Sequence, residues 1–310
     1  MKTSNKISII ILSVIGFYAV FLLFSDVEKI SNKLINFKIE FLPIILSLVP
    51  IAWVLVYLRW YFLLKNLDIR VPHKDNFTIF LASAVLGITP GKVGELLKSQ
   101  FLKDKFEIPR TKTVPLIFVE KLYDLIGAII ISFLGIWLFP EAGYIITAGL
   151  VILIFVFVMI SSRKIFNKTA RIFIRFQFTK KFVEPIYESS EIIKSSIRGK
   201  TAFFSIILSV GYWFIISLAI YFIFLALEID SLSFLEIIST YIASLILGVL
   251  SFLPGGIGVT EGSLVGLLSL QGIEIPTAVV DALLIRLFTL WYSVAVGLLL
   301  LKTSGIFSLK

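Results

Sequence analysis

The sequence predicts an all-α polytopic membrane protein, and three observations lead to that prediction. Of the 310 residues, 58% are hydrophobic and 16% are charged, whereas soluble domains carry roughly 25% charged residues. Several apolar runs reach the ~20 residues that a helix needs to cross the hydrocarbon core. Two further apolar stretches are interrupted by proline and glycine, as in helices that stop inside the membrane. We therefore expect about six full transmembrane helices and two re-entrant helical hairpins.

Six runs are long enough to be full spans. The first, 7–24, lacks a small-residue cleavage site followed by a soluble domain, so we interpret it as a retained helix and not as a signal peptide. The other predicted spans are 41–62, 113–138, 142–161, 201–227 and 277–301. The two interrupted stretches, at 77–102 and 233–272, are the predicted hairpins.

Basic residues set the expected orientation. With a cytoplasmic N-terminus, and with each hairpin entering and leaving on one side, 23 of the 29 Lys and Arg residues fall in cytoplasmic loops. Counting 77–102 as a full crossing would instead place basic loops on both faces, against the positive-inside rule. We therefore expect a multi-pass protein of the cell membrane with both termini in the cytoplasm.

The loop at 163–200 combines basic residues with Ile and Phe at roughly helical spacing. A helix lying on the anionic inner-leaflet surface uses both features, and a plain basic connector is the alternative. Either interpretation accounts for the net charge of +9 without nucleic acid as a partner. With no Cys, and with the single His73 in a charged loop, we expect no metal site and no cofactor.

The two interrupted stretches resemble each other. Residues 82–95 read ASAVLGITPGKVGE, and residues 243–261 read ASLILGVLSFLPGGIGVTE. Each contains Ala-Ser, Leu-Gly, Pro-Gly, and then Gly and Glu, and Lys121 and Arg286 follow at an offset of 165. We expect the span at 113–138 to run outward and the span at 277–301 to run inward. The halves, at about 41–138 and 201–301, would then form an inverted repeat, an architecture of transporters.

Proline and glycine mark the expected hairpin turns. The turn residues are Pro90, Gly91 and Gly94 in the first hairpin and Pro254, Gly255, Gly256 and Gly258 in the second. After each turn a half-helix begins inside the membrane, and its N-terminus suits an anionic group such as a phosphate. The alternative is close helix packing, because Gly258, Gly262 and Gly266 recur every four residues.

We single out seven charged residues inside predicted membrane segments, where a charge near the centre costs ~2.5–3.5 kcal/mol on insertion scales. They are Lys92, Glu95, Glu120, Lys121, Asp124, Glu261 and Arg286. One interpretation is structural ion pairing, for example of Lys121 or Arg286 with Glu120 or Glu261. We favour a polar cavity that binds a lipid headgroup, with Lys92, Lys121 and Arg286 contacting phosphate. The carboxylates would orient these cations or bind a cationic part of the headgroup, and none of the seven is expected to be catalytic.

A family resemblance rests on four segments, LGITPGKVGELLKS, VEKLYDLIG, FLPGGIGVTEGSLVGLL and RLFTLWYSVAVGLL. Together they resemble the lysylphosphatidylglycerol synthase transmembrane-region family, also called the flippase-like domain family, from about Ile7 to Leu301. In bifunctional members this membrane domain precedes a soluble aminoacyl-transferase domain and is held to move the modified lipid between leaflets. We expect a stand-alone member without the synthase domain. The resemblance then implies translocation of a phospholipid or a polyprenyl-phosphate-linked lipid with an anionic or zwitterionic headgroup.

Two other functions stay open at this point. One is a non-transporting membrane partner of a separate lipid-modifying enzyme or glycosyltransferase. The other is a membrane-embedded lipid transferase that uses Glu120, Asp124 or Glu261 as a general base. The identity of the lipid, the direction of its movement, coupling to ions or protons, and the oligomeric state do not follow from the sequence.

Overall fold

The computed structural model of the chain describes residues 27–85, 95–161 and 190–303. Every secondary-structure element assigned in these ranges is a helix, which confirms the predicted all-α class. Three predicted features lie outside the described residues. They are the span at 7–24, most of the basic loop at 163–200, and the first hairpin turn with Pro90, Gly91, Lys92 and Gly94.

The described helices are numbered here in chain order. The first part of the chain contains α1 (Val27–Ile35), α2 (Leu42–Lys65), α3 (His73–Ala84), α4 (Leu97–Phe106), α5 (Arg110–Phe133) and α6 (Pro140–Ser161). The second part contains α7 (Ser190–Ser196), α8 (Gly199–Ala226), α9 (Phe234–Leu250), α10 (Val259–Leu270), α11 (Ile275–Arg286) and α12 (Tyr292–Thr303). A 3-10 turn at Pro254–Gly256 separates α9 from α10, and a π-helical segment at Leu287–Trp291 joins α11 to α12.

Three of the described helical segments are long and apolar enough to cross a membrane, judged by length and composition. They cover Ile39–Lys65, Gly199–Ala226 and Ile275–Thr303, close to three of the predicted spans. α6 and α9 contain shorter apolar stretches, and charged residues interrupt α5. The chain is therefore a helical membrane protein with three clear candidate spans, and the exact arrangement of six crossings and two re-entrant hairpins stays a prediction.

Sequence signals explain where helices begin and end in both parts of the chain. α4 ends at Glu107, which is left-handed with φ 57°, and Pro109 directly precedes α5. α10 is followed by Gly272 with φ 86°, and Pro276 lies in the first turn of α11. Proline fits this position because the first N–H groups of a helix have no partner within it. The order of left-handed residue, proline and long helix thus occurs twice.

Glycine makes the turn between α9 and α10 possible, and the two helices pack against each other. Gly255, Gly256 and Gly258 have φ values of 61°, 66° and 89°, a region that residues with a side chain rarely adopt. A Cβ added at Gly256 would also lie 2.7 Å from the hydroxyl of Thr260. Glycine at this turn therefore serves both the backbone conformation and the close approach of the helices.

Among the described residues, no helix packs closely on Gly262 or Gly266. A Cβ added at either position would meet no described atom within 4 Å. Close contact occurs instead at Gly248 of α9, where an added Cβ would collide with the Thr260 hydroxyl. Small residues at a helix interface let the backbones approach, and here Gly248 and Gly256 have that role.

α2, α5 and α8 form the centre of the fold. α2 and α8 pack along each other, and α5 packs against α8. A Cβ added at Gly127 of α5 would lie 2.7 Å from the backbone carbonyl carbon of Ser209 in α8. The two parts of the chain also contact each other, since α3 packs on α12 and α9 packs on α5. The helices that carry the predicted charges are thus held by contacts between both parts.

We expect Gly127→Ala to destabilise the protein by about 1–3 kcal/mol, because the new methyl group would overlap the backbone of α8. Gly262→Ala is the matched control, since its methyl group enters open space and improves helix propensity by roughly 1 kcal/mol. Thermal unfolding of the purified variants in detergent measures the difference. Wild-type stability in Gly127→Ala would contradict the close α5–α8 contact.

Candidate functional site

The first buried ion pair joins Glu120 of α5 to Lys98 of α4. Both side chains are almost fully buried, at 2% and 1% exposure. The Lys98 ammonium also lies 4.1 Å from the centroid of the Trp60 ring and 5.1 Å from that of Phe80. Aromatic faces attract cations, so the lysine is enclosed by one carboxylate and two rings. This enclosure joins α2, α3, α4 and α5 and leaves Lys98 no access to a ligand.

The second ion pair joins the partly exposed Asp124 of α5 to the buried Arg59 of α2. Arg59 Nη2 lies 2.6 Å from Asp124 Oδ1, and Arg59 Nη1 donates a hydrogen bond of 2.6 Å to Ser209 Oγ on α8. The indole N–H of Trp213 donates to the backbone carbonyl of Asp124 at 2.7 Å. Arg59 is 2% exposed. These contacts hold the three central helices together through polar groups.

The third cluster contains Lys121, Glu95 and Asp124, and it differs from the first two in its exposure. Lys121 Nζ lies 2.6 Å and 2.8 Å from the two carboxylate oxygens of Glu95, and 3.4 Å from Asp124 Oδ2. The Lys121 side chain is 34% exposed, against 15% for Glu95 and 21% for Asp124. This group, which we call the open cluster, is therefore reachable from outside the protein interior.

The fourth pair joins Arg286 at the end of α11 to Glu261 in the first turn of α10. Arg286 Nε donates to Glu261 Oε1 at 2.7 Å, and Arg286 Nη2 donates to the carbonyl oxygen of Gly255 at 2.6 Å. The other oxygen of Glu261 accepts the backbone N–H of Gly258 at 2.7 Å. Glu261 is 0% exposed and Arg286 is 5% exposed. This group, the closed cluster, fastens the glycine turn to α11.

The N-terminus of α10 holds a carboxylate of the chain itself. A helix N-terminus attracts anions because its first N–H groups point outward with partial positive charge. At α10 this anion is Glu261, and Arg286 balances its charge. A phosphate at this end of the helix would therefore have to displace Glu261 from both partners.

The structure shows which of the predicted charges form ion pairs with one another. Arg286 meets Glu261, as the ion-pair interpretation suggested, but Lys121 meets Glu95 and Asp124 rather than Glu120. Lys92 lies outside the described residues, so its surroundings stay a prediction.

Sequence reasoning missed two interior cations, Arg59 and Lys98, because both were counted as cytoplasmic loop residues. The signal for Arg59 was its position between apolar residues well before the end of α2. Lys98 had a weaker signal, since it follows Leu96 and Leu97 and precedes two polar residues. A third interior charge that was missed, Asp281, lies buried on α11. Within the described ranges, no group of three or more His, Asp or Glu side chains is arranged to hold a metal ion.

Comparison with known protein families matches residues 7–297 to the family described as the lysylphosphatidylglycerol synthase TM region. The chain belongs to this family. The match confirms the family that the four sequence segments predicted, and it includes both the open and the closed cluster. Family membership identifies the chain as a membrane protein without fixing its substrate.

Three similar proteins in archaea carry the name UPF0104 membrane protein. MJ1078 of Methanocaldococcus jannaschii is 28% identical, over 68% of this chain and 89% of that protein. PH1989 of Pyrococcus horikoshii is 24% identical, over 94% of this chain and 96% of that protein. MJ1595, also of Methanocaldococcus jannaschii, is 25% identical, over 91% and 89%. These names agree with a membrane protein and state no substrate.

We expect Lys98→Met to lower the free energy of unfolding by about 3–5 kcal/mol, because Glu120 would stay buried without its counter-charge. Lys105→Met is the matched control, since Lys105 pairs with Asp75 at 2.6 Å in a partly exposed position, where ion pairs contribute about 0–1 kcal/mol. Unfolding by denaturant in detergent micelles compares the two.

A double variant shows whether the loss of stability comes from the broken ion pair or from lost packing. Adding Glu120→Gln to Lys98→Met removes the stranded charge, so the double variant should recover much of the loss. If Lys98→Met and Lys105→Met were equally stable, the buried pair would not have the structural role assigned to it.

Proposed function

We propose that the chain is a lipid translocase, which moves a phospholipid or a polyprenyl-phosphate-linked lipid between leaflets through a polar cavity between its two halves. The observation that carries this proposal is the open cluster, a partly exposed group of one cation and two carboxylates on an otherwise apolar helix bundle. Charges in membrane segments are costly and mark substrate pathways. Membership of the lysylphosphatidylglycerol synthase TM region family supports a role with lipids.

The two halves are proposed to form an inverted repeat, and equivalent ion pairs support it. Glu95 and Glu261 are corresponding residues at an offset of 166, and Lys121 and Arg286 correspond at 165. Each glutamate pairs with the cation of its own half, at 2.6 Å and 2.7 Å respectively. Repeats built around discontinuous helices place substrate sites at corresponding positions of the two halves.

Helix packing supports the same correspondence. α3 packs on α12, and α9 packs on α5, so the first helix of each hairpin contacts the long helix of the opposite half. Glycine permits this contact in both places. A Cβ added at Gly297 would lie 2.9 Å from the carbonyl oxygen of Leu81, and one added at Gly135 would collide with the carbonyl oxygen of Leu235.

The halves differ at other corresponding positions. Lys98 and Glu120 form an ion pair in the first half, and the corresponding residues in the second half are Leu264 and Ile285, both buried in one apolar core. Hydrophobic residues of similar volume can replace a buried ion pair without loss of stability. Charge is thus concentrated in the first half, which we propose as the headgroup-binding half.

In this proposal Lys121 contacts the lipid phosphate, and Lys92 contributes a second cation. Lys121 has three N–H donors, and its partial exposure leaves room for an anion beside Glu95. Glu95 and Asp124 would accept hydrogen bonds from hydroxyl or ammonium groups of the same headgroup. Arg286 was also proposed as a phosphate contact, and such a contact requires the closed cluster to open.

If the two halves are inverted, the bases of the two hairpins should be accessible from opposite sides of the membrane. The chain has no Cys, so Lys103→Cys and Glu274→Cys, at two exposed positions, each add one reporter thiol. A membrane-impermeant maleimide added to intact cells should label Glu274→Cys and should reach Lys103→Cys only after permeabilisation. Labelling in detergent controls for reactivity. If both thiols reacted from the same side of intact cells, the halves would not be inverted.

Exchange of fluorescent phosphatidylglycerol between leaflets of reconstituted vesicles tests the function. Wild-type protein should exceed empty vesicles, and Lys121→Gln should reduce the protein-dependent rate about tenfold or more, because a hydrogen bond to a charged group contributes about 1.5–3 kcal/mol. Lys105→Gln is the matched control, as its side chain is equally exposed and also ion-paired. A wild-type rate equal to that of empty vesicles would falsify translocation of this lipid. A Lys121→Gln rate equal to that of the wild type would remove Lys121 from the site.

A further inference from the structure

Asp281 of α11 is a buried acid that the proposed lipid site does not use. It is 0% exposed, and within the described ranges neither of its carboxylate oxygens has a hydrogen-bond partner. The other carboxylates of the described bundle interior meet cations, as Glu120 does with Lys98 and Glu261 with Arg286. Asp281 therefore differs from these paired carboxylates.

The surroundings of Asp281 are apolar. Its neighbours along α11, Val280, Ala282 and Ile285, belong to one hydrophobic core. The elements packed against α11 are α1, α8, α10 and the π-helical segment. The titratable residues of these elements are Glu28, Lys29 and Lys33 on α1, Lys200, Tyr212 and Tyr221 on α8, and Glu261 on α10. α11 itself adds Arg286. The Asp281 carboxyl accepts no hydrogen bond and forms no ion pair in the described structure.

Only the neutral form of Asp281 suits this environment. A charged carboxylate removed from water, with neither a cation nor a donor, is costly, and such groups hold a proton instead. Even the neutral acid gains no stability here, because its polar atoms have left water and found no partner. An acidic residue within a membrane segment that has no structural partner is a candidate for a proton relay.

Asp281 lies midway between the start of α11 and the π-helical segment. Asp281 is six residues from Ile275, which places it about 9 Å along the helix axis from the start of α11. The π-helical segment begins six residues later, at Leu287, directly after Arg286 of the closed cluster. Such segments commonly occur at functional sites and mark places where a helix can rearrange. Opening of the closed cluster would therefore loosen the packing of α10 on α11 beside the buried acid.

We propose that Asp281 is an intramembrane proton-binding site, which holds a proton in the described state and releases it when the α10–α11 interface opens during lipid movement. The release step rests on the translocase activity proposed above, whereas the bound proton does not. On release, the O–H bond of the carboxylic acid breaks, its electron pair stays on the carboxylate oxygen, and a water molecule admitted by the opened α10–α11 interface accepts the proton.

Infrared difference spectroscopy tests the bound proton without any transport. With wild-type protein in phosphatidylglycerol vesicles at neutral pH, Asp281→Asn should remove a carbonyl stretching band of a protonated carboxylic acid. Asp230→Asn is the control, since Asp230 is exposed, and it should remove a carboxylate band instead. If Asp281→Asn removed a carboxylate band, Asp281 would be ionised and the proton-binding site would be wrong.

The exchange assay under a pH difference tests the release step. The wild-type rate should change severalfold when the pH on one side of the vesicle membrane is varied, and the Asp281→Asn rate should stay constant. A wild-type rate that is independent of pH would overturn coupling, even with translocation established. No wild-type exchange at any pH would instead refute the translocase together with the coupled release, and the infrared result would still decide the bound proton.

Folding of the variants is checked separately. Because Asp281 has no partner to lose, Asp281→Asn and Asp281→Leu should keep the wild-type gel-filtration profile, and their melting temperatures should equal or exceed that of the wild type. A large fall in melting temperature for both variants would show that Asp281 has a structural partner, which contradicts the proposal.

Discussion

An ion moved from water into an apolar helix bundle costs several kcal/mol unless an opposite charge meets it. α5 carries three such ions within five residues, and their partners come from other parts of the chain. Lys98 on α4 meets Glu120, Arg59 on α2 meets Asp124, and Glu95 precedes α4. Apolar contacts are non-directional. The apolar surfaces of these helices therefore do not by themselves fix how one helix aligns with another. The ion pairs supply direction, so they determine how α2, α4 and α5 meet.

This dependence explains what the sequence could and could not predict. Helical class and the long spans follow from apolar run length, and Glu120 stands out as an interior charge because apolar residues surround it. Lys98 and Arg59 lie closer to the ends of apolar runs, where long basic side chains ordinarily extend to the membrane surface. Their burial is a result of tertiary packing, which no local pattern contains. Similarly, Glu120 and Lys121 are adjacent but point about 100° apart on a helix, so they find separate partners.

The sequence landmarks predict a correspondence between the halves, but they carry no signal for the difference in exposure between the two clusters. Glu261 and Arg286 are sealed against the glycine turn, while the equivalent Glu95 and Lys121 remain partly exposed. A glutamate paired with a cation therefore occurs in two different environments. In the closed cluster the carboxylate already occupies the helix N-terminus that was expected to attract phosphate. The prediction of an anion at that position was chemically sound, but the anion belongs to the chain.

Exposure also distinguishes the two clusters as candidate headgroup sites. Displacing Glu261 would strand a buried charge, a change that costs about 3–5 kcal/mol, whereas the Lys121 and Glu95 side chains are 34% and 15% exposed. In the proposed translocase, a phosphate would therefore reach Lys121 without stranding a fully buried charge. A translocase must release its lipid as well as bind it, so the more exposed open cluster suits the headgroup. The strong closed cluster suits the element that holds one conformation until the interface beside Asp281 rearranges.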